Sequence, residues 1–565
     1  MSMTVGRQIM DVVNILTRWG LTVLLLLSTS TQHALASQSN SGKWIIKLRN
    51  KESVLTGYQI QNTSERLAFK QNTKKTAGRL VDRHLSKKKN NVVENMGFLI
   101  TEDLTDEDLK LLATDPDVAF VEKDIIWKTQ SGDAGSSSSL PSHNMQNPWL
   151  QDVLGFASDS ADPYVQSDQS GNVIVAVIDS GTKIDHPFLR PALQGNAAEI
   201  NGRPGVDDDN NGFIDDTYGA NAITRNGSSD ESYSSHGTHV SGIVKTVRDH
   251  AIQMYPQARK VSILPVRFIG DNGQGSTAAA ILALEYAAAR GAKVVNASWG
   301  AKGFENYSQA LYETFARLYQ LDIVFTVAAG NADASGPNNN DNIPTFPANY
   351  NIPSLISVAS VSPYYSYGNG GGYGLQANSI SAFSNYGTES VDIAAPGDFI
   401  NTNGGNGNGI LSAYSGYGPW GNPYVRKQGT SMAAPVVAGI AGVIRALNPN
   451  LNAYETKQLI ISSSRRNSAL NGYIRNAGVV HAVTAFQDAF NASNRTQNPG
   501  LPGNPVIAGG EEGAKLGGGG GCASVMPVNG NGPGPFGGNS LGLLAFAYAV
   551  TVLMKSIRRK KNQRL

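Results

Sequence analysis

Four residues of this chain have side chains that acyl transfer can use: Asp179, His236, Ser431 and Asn331. Such a reaction needs a nucleophile, a base to take its proton, an acid to orient the base, and donors for the developing oxyanion. Asp179 ends the run Val-Ile-Asp179-Ser-Gly-Thr, and a carboxylate at a strand end faces the crevice where open α/β sheets bind ligands. His236 stands in Ser-His236-Gly-Thr-His239-Val-Ser-Gly, where a helix is expected to start. Ser431, in Gly429-Thr-Ser431-Met-Ala-Ala-Pro435, opens an apolar helix whose first amides can help hold an anion. Asn331 follows Val-Ala-Ala-Gly330 and can offer its side-chain amide to the oxyanion. Singly, each has a plainer explanation: a turn-forming Asp, a helix-capping Ser, a structural His.

The surrounding elements must bring these residues together. Val173–Ile178, Val261–Val266, Lys293–Asn296, Ile323–Ala328 and Leu355–Val358 are nearly unbroken β-branched runs, the pattern of strands covered on both faces. With helices expected over Thr277–Arg290 and Met432–Leu447, the repeated βαβ order predicts an α/β domain with a mainly parallel central sheet over residues 147–491. A smaller unit precedes it over 43–128. It has a strand at Lys43–Leu48, a basic stretch with Lys87-Lys-Lys89, a helix capped by Thr105, and a strand at Val118–Glu122. Residues 129–146, rich in Gly and Ser, form a flexible, cleavable linker.

Val-Ile-Asp-Ser-Gly, His-Gly-Thr-His-Val-Ser-Gly and Gly-Thr-Ser-Met-Ala-Ala-Pro-Val-Val-Ala-Gly, in that order, resemble the three signature blocks of the subtilisin-like serine peptidases. The resemblance implies a three-layer fold and a secreted endopeptidase acting through an acyl-enzyme. It implies that His236 is the general base, Asp179 its orienter and Ser431 the nucleophile, with Asn331 and the Ser431 amide as the oxyanion hole. His239 is then a packed residue. Asn296-Ala-Ser298-Trp299-Gly300 matches the strand that pairs with substrate, and the segment containing Gly273 and Gly275 resembles its opposing edge. Ala328, Ala329 and Gly330 would form one wall of the primary pocket. Residues 43–128 resemble the family's ferredoxin-like α+β propeptide, an intramolecular inhibitor released by self-cleavage between Lys128 and Asn147. The alternatives are a sedolisin-like acid peptidase, against which the intact His-Gly-Thr-His block speaks, and an inactive binding module of the same fold.

Asp207, Asp209, Asn211, the Phe213 carbonyl and Asp215 supply oxygens at alternating positions around Gly212, a spacing that suits Ca²⁺ and resembles a calcium-binding insert of some bacterial subtilases. The competing assignment is a solvated Asx-turn loop. The 46 basic and 44 acidic residues leave a formal charge of +2, which provides no basic surplus for nucleic acid. Cys522 is the sole cysteine, so no intrachain disulfide can form. Residues 1–36, with Arg7 and Arg18 before an apolar run and Ala34-Leu-Ala36 after it, read as a cleaved export signal. Residues 492–540 are a Gly/Pro/Asn-rich linker, and the apolar Leu541–Met554 precedes Arg558-Arg-Lys-Lys561. This tail resembles tripartite sorting signals, to be cut near Cys522 by a sorting protease, the alternative being a retained membrane anchor at the cell surface.

Overall fold

The computed structural model describes residues 42–49, 63–94, 96–130, 149–158, 161–162, 165–168, 173–231, 234–367, 373–401, 409–416 and 423–497. The expected export signal, residues 131–146 of the linker, Cys522 and the apolar tail lie outside the described residues. A second unit, residues 51–54 and 509–565, lies outside them entirely.

The N-terminal unit contains β1 (Lys43–Leu48), α1 (Thr63–Leu80), β2 (Asn90–Val93), β3 (Phe98–Glu102), α2 (Asp106–Thr114), β4 (Val118–Lys123) and β5 (Ile126–Thr129). The first four strands form one sheet in the order β2-β3-β1-β4, and all its pairings are antiparallel. Helix α2 starts where expected, with Thr105 and Asp108 exchanging the two bonds of a capping box. Helix α1 falls on the basic stretch, which the sequence did not mark as helical. Its buried face is Thr73, Thr76, Ala77 and Leu80, so two threonines hold positions where an apolar period would have been legible. One sheet face covers Leu80, Leu99 and Leu112. Ile45, Phe98 and Ile100 join the apolar cluster of the following domain instead.

That domain contains β6 (Val173–Asp179), α3 (His236–Met254), β7 (Val261–Arg267), β8 (Gln274–Ser276), α4 (Thr277–Ala289), β9 (Ala292–Ala297), β10 (Trp299–Lys302), α5 (Gln309–Gln320), β11 (Val324–Ala328), β12 (Leu355–Tyr367), β13 (Ile393–Pro396) and α6 (Thr430–Leu447). The centre of its sheet runs β13-β12-β11-β9-β6-β7, parallel at every step. Helices α3 and α6 pack in one apolar cluster and α4 and α5 in another, with alternate residues of β6 divided between the two. This gives the three-layer α/β arrangement. Helix α6 is long and apolar enough to cross a membrane, but it is wholly buried as the core helix of the domain.

The two units meet through β5. This strand lies between β10 and β8, antiparallel to both. Two carboxylates of the N-terminal unit also sit on helix starts: Asp124 Oδ1 accepts from Ala278 N at 2.9 Å, and Glu122 accepts from Gln309 N at 2.9 Å and Ser308 Oγ at 2.6 Å. Both carboxyl groups thus take up amides that a helix start leaves open.

Candidate active site

Asp179 is the last residue of β6 and is fully buried. Its Oδ1 accepts from His236 Nδ1 at 2.6 Å, from Ser180 N at 2.7 Å and from Ser180 Oγ at 3.1 Å. A buried carboxylate bonded to Nδ1 fixes the imidazole so that Nε2 is left as the acceptor. His236 Nε2 is buried and has no hydrogen-bond partner among the described residues. His239 is also buried, and its Nε2 lies 2.9 Å from the Ile410 carbonyl. Burial holds its pKa well below the usual value, so it is a neutral packing residue.

His236 begins α3, and the start of that helix is organised by Glu231, which the sequence reading did not single out. The buried Glu231 carboxylate accepts from His236 N at 3.0 Å, Thr238 N at 2.9 Å and Thr238 Oγ1 at 2.7 Å, and also from Ser180 Oγ and Ser234 Oγ. It therefore satisfies amides that a helix start leaves open and ties them to the residue after Asp179. Gly237 allows this approach, because a Cβ there would lie 2.0 Å from the Gly181 carbonyl oxygen.

Ser431 lies in the first turn of α6, and Pro435 explains a feature of its setting. Proline has no N–H, so the Ser431 carbonyl loses its partner four residues on. It accepts instead from Ser298 Oγ at 2.9 Å, while Ser431 Oγ donates to the Ser298 carbonyl at 2.9 Å. Asn331, just beyond β11, turns its Oδ1 to Thr430 N and Thr430 Oγ1, both at 3.0 Å. With the amide oriented this way, Nδ2 is its donor end.

Gln130 occupies the cleft. Its N donates to the Ser298 carbonyl at 3.2 Å, and its carbonyl accepts from Ser431 N at 3.1 Å. Upstream, Thr129 and Lys128 pair with Trp299 and Gly300, while Trp127 pairs with Gly275. Ser298, Trp299, Gly300 and Gly275 thus lie along the chain's own residues 127–130. Gly273 instead makes the turn before β8, donating to the Gly270 carbonyl at 3.0 Å. Ala328 and Ala329 are buried behind Gly330, whose N donates to Thr430 Oγ1. The linker expected from residue 129 therefore gives up Thr129 and Gln130 to the cleft.

The acidic loop closes differently from its spacing. Asp207 accepts from Asn211 N and Gly212 N, and the Asn211 carbonyl oxygen Oδ1 accepts from Phe213 N at 2.8 Å. Asp215, in the left-handed region at φ 56°, is turned onto Gly205 N at 2.8 Å. The next residue, Asp216, points inward. Glu199, Asp209 and Asp216 bring carboxylate oxygens within 4.8 Å of one another. Burial pushes Asp216 above the ordinary carboxylate range, although Tyr286 Oη donates to it at 2.5 Å. Three crowded carboxylates, two of them buried, are a donor set that fits a hard dication.

The chain matches the subtilase family over residues 170–493. It is 27% identical over 346 residues to subtilisin-like protease 1 of Plasmodium berghei, covering 60% of this chain and 53% of that protein. It is 31% identical over 271 residues to thermitase of Thermoactinomyces vulgaris, covering 48% of this chain and 74% of thermitase. Fervidolysin from Fervidobacterium pennivorans, a keratinolytic enzyme related to subtilisin, shares the fold with a TM-score of 0.50 at 20% identity, over 79% of this chain and 61% of that one. The match spans about half the length of subtilisin-like protease 1 of Plasmodium berghei and Plasmodium vivax, and 17% of subtilisin-like protease 2 of Plasmodium falciparum. By the extent of the family match and the thermitase likeness together, this chain belongs to the subtilase family.

Proposed function

We propose that the protein is a secreted serine endopeptidase, made as a self-processing zymogen, with Ser431 as nucleophile, His236 as base and Asp179 as its orienter. The observation that carries this is the 2.6 Å Asp179–His236 bond, which leaves a buried Nε2 acceptor in a cleft where Ser431 N already holds a peptide carbonyl. Ser431 Oγ leaves the Ser298 carbonyl, adds to the substrate carbonyl carbon and passes its proton to His236 Nε2. Asp179 stabilises the imidazolium, and Ser431 N and Asn331 Nδ2 bind the oxyanion. The proton then goes to the leaving nitrogen as the C–N bond breaks, and water repeats the sequence to release the acid. Glu231 is a positioning residue, holding the start of α3 against Ser180.

Residues 43–130 act as the inhibitory prodomain, their last strand filling the substrate ladder between β8 and β10. The Glu199, Asp209 and Asp216 cluster is a structural calcium site that plays no part in the chemistry. Export through residues 1–36 and trimming of the tail near Cys522 complete maturation. Hydrolysis of casein by the secreted wild type but not by Ser431→Ala is the expected result. Equal hydrolysis by both contradicts the enzyme assignment, and a correctly processed wild type that cuts neither casein nor peptides copied from its own residues 126–132 favours the binding-module alternative.

A further inference from the structure

Resting on the peptidase reading above, we infer that this enzyme is selective for extended segments carrying tryptophan three residues before a glutamine, and that it cuts after the glutamine. Its own copy of that sequence is Trp127-Lys-Thr-Gln130. The backbone bonds of β5 to β8 and β10 would hold almost any sequence, so selectivity must come from where the side chains go.

Two side chains of the segment meet specific partners, the half-buried Gln130, whose Nε2 also reaches the segment's own Lys128 carbonyl at 3.4 Å, and the fully buried Trp127. Gln130 Oε1 accepts from Asn331 N at 3.2 Å, and Nε2 donates to the Gly300 carbonyl at 3.0 Å. Both partners are main-chain groups of fixed polarity, so the pocket presents one donor and one acceptor to a single side-chain end. A primary amide satisfies both. Glutamate brings no donor and sets an oxygen against the Gly300 carbonyl, and leucine leaves both groups unpaired. Trp127 is completely buried, with its Nε1 donating to Thr277 Oγ1 at 2.9 Å. Its ring meets Trp299 edge-on with centroids 5.6 Å apart, and Trp299 in turn meets Phe268 at 4.8 Å. The aromatic walls accept a large flat ring, and Thr277 adds an acceptor that the Trp127 indole uses and a phenyl ring cannot. Lys128 between them is exposed and Thr129 is half-buried, so these positions contribute little choice.

The Gln130 carbonyl on Ser431 N identifies the bond that breaks. Hydrolysis consumes one water and leaves a carboxylate on Gln130 and an amine on Ser131. The product retains both pocket contacts, which makes it an inhibitor of the enzyme that released it.

The test uses the processed full-chain enzyme, casein, and internally quenched peptides spanning Ile126 to Gly132, together with N-terminal sequencing of the mature protein. Relative to the native peptide, kcat/KM is expected to fall about tenfold for the Gln→Leu peptide, through two lost hydrogen bonds, and for the Gln→Glu peptide, through one lost bond and an oxygen set against the Gly300 carbonyl. It should fall about a hundredfold for the Trp→Ala peptide, through loss of a buried aromatic anchor. It should stay within about twofold for the Lys→Ala peptide, as for an exposed side chain. A Thr277→Val enzyme should prefer the native peptide over its Trp→Phe version less than wild type does. The mature chain should begin at Ser131. Casein hydrolysis that depends on Ser431, combined with equal rates on all the peptides or a mature terminus elsewhere, overturns the selectivity and leaves the peptidase intact. Failure on both casein and peptides overturns the peptidase reading and this inference with it.

Discussion

The sheet of the N-terminal unit covers a small apolar cluster around Ile46, Leu80, Leu99 and Leu112, and beside it Arg79, Arg83 and His84 bond the carboxylates of Asp115 and Asp117. The peptidase sheet is buried on both faces, and its core helix α6 exposes almost nothing. The N-terminal unit also commits Ile45, Phe98 and Ile100 to the larger domain's apolar cluster rather than its own. One region therefore completes its own core and the other borrows part of its core from its partner. A small domain that lends out an apolar face gains stability from docking, since burial scales with the area removed from water. The larger domain holds its site through local constraints of its own: the Pro435-freed carbonyl on Ser298, and the Glu231 clasp on α3.

The largest effect lies on the self-sufficient side. Asp179→Asn should lower kcat about 10⁴-fold, by favouring the wrong imidazole tautomer, with the fold intact by circular dichroism. A fall of less than tenfold would mean that the carboxylate does not orient His236. Removal of calcium bears on whether the peptidase is as self-sufficient as its core suggests. If the cation at Glu199, Asp209 and Asp216 is held at about a hundred times its Kd, chelation costs ~2.7 kcal/mol, and an Asp216→Asn chain should have a Tm insensitive to chelator. An unchanged wild-type Tm on chelation rules the ion out.

On the borrowing side, Arg83→Ala should destabilise the N-terminal unit by about 1 kcal/mol, because it removes the one side chain that bridges the nearly buried Asp115 and Asp117 and leaves them to His84 and Arg79, while Arg83 itself is partly solvated. Denaturant unfolding should show this loss in the prodomain and not in the peptidase. The smallest effect concerns pH. Burial pushes docked Glu122 up to about 7 against bonds from Ser308, Ala310 and Gln309, with Glu313 nearby adding to the rise. A carboxyl whose pKa rises on docking takes up a proton, so docking is strongest below the free value and weakens as pH climbs through about 7. Activity should therefore emerge on the order of tenfold faster at pH 8 than at pH 5. Glu122→Gln should flatten that dependence, and an unflattened profile would assign the effect to other groups.

The difference between the regions also decided what could be read from the chain. The buried strands β6, β7, β9 and β11 announced themselves because a two-sided cover demands unbroken β-branched runs. Asp179, His236, Ser431 and Asn331 stood out as candidates because each sits in a local context that holds its side chain at a strand end or helix start. Helix α1 was hidden because threonines fill two of its buried positions. Glu231, Glu199 and Asp216 were hidden for a different reason, since a carboxylate becomes a clasp or a cluster member only when tertiary folding aims it. In the acidic loop the positive φ at Asp215 exchanged two adjacent acids, an effect that spacing cannot register. Gln130 read as the second residue of a linker, and its place in the cleft follows only from the register of β5 against β10.

The central claim is that Ser431, activated by His236 and Asp179, is the nucleophile. Its most direct test is to treat the processed enzyme with a serine-directed fluorophosphonate and map the adduct by mass spectrometry. The expected result is a single adduct on Ser431, with loss of peptidase activity in proportion to labelling and no adduct on Asp179→Asn over the same time. Labelling of another residue, or full activity after Ser431 is blocked, would contradict the account.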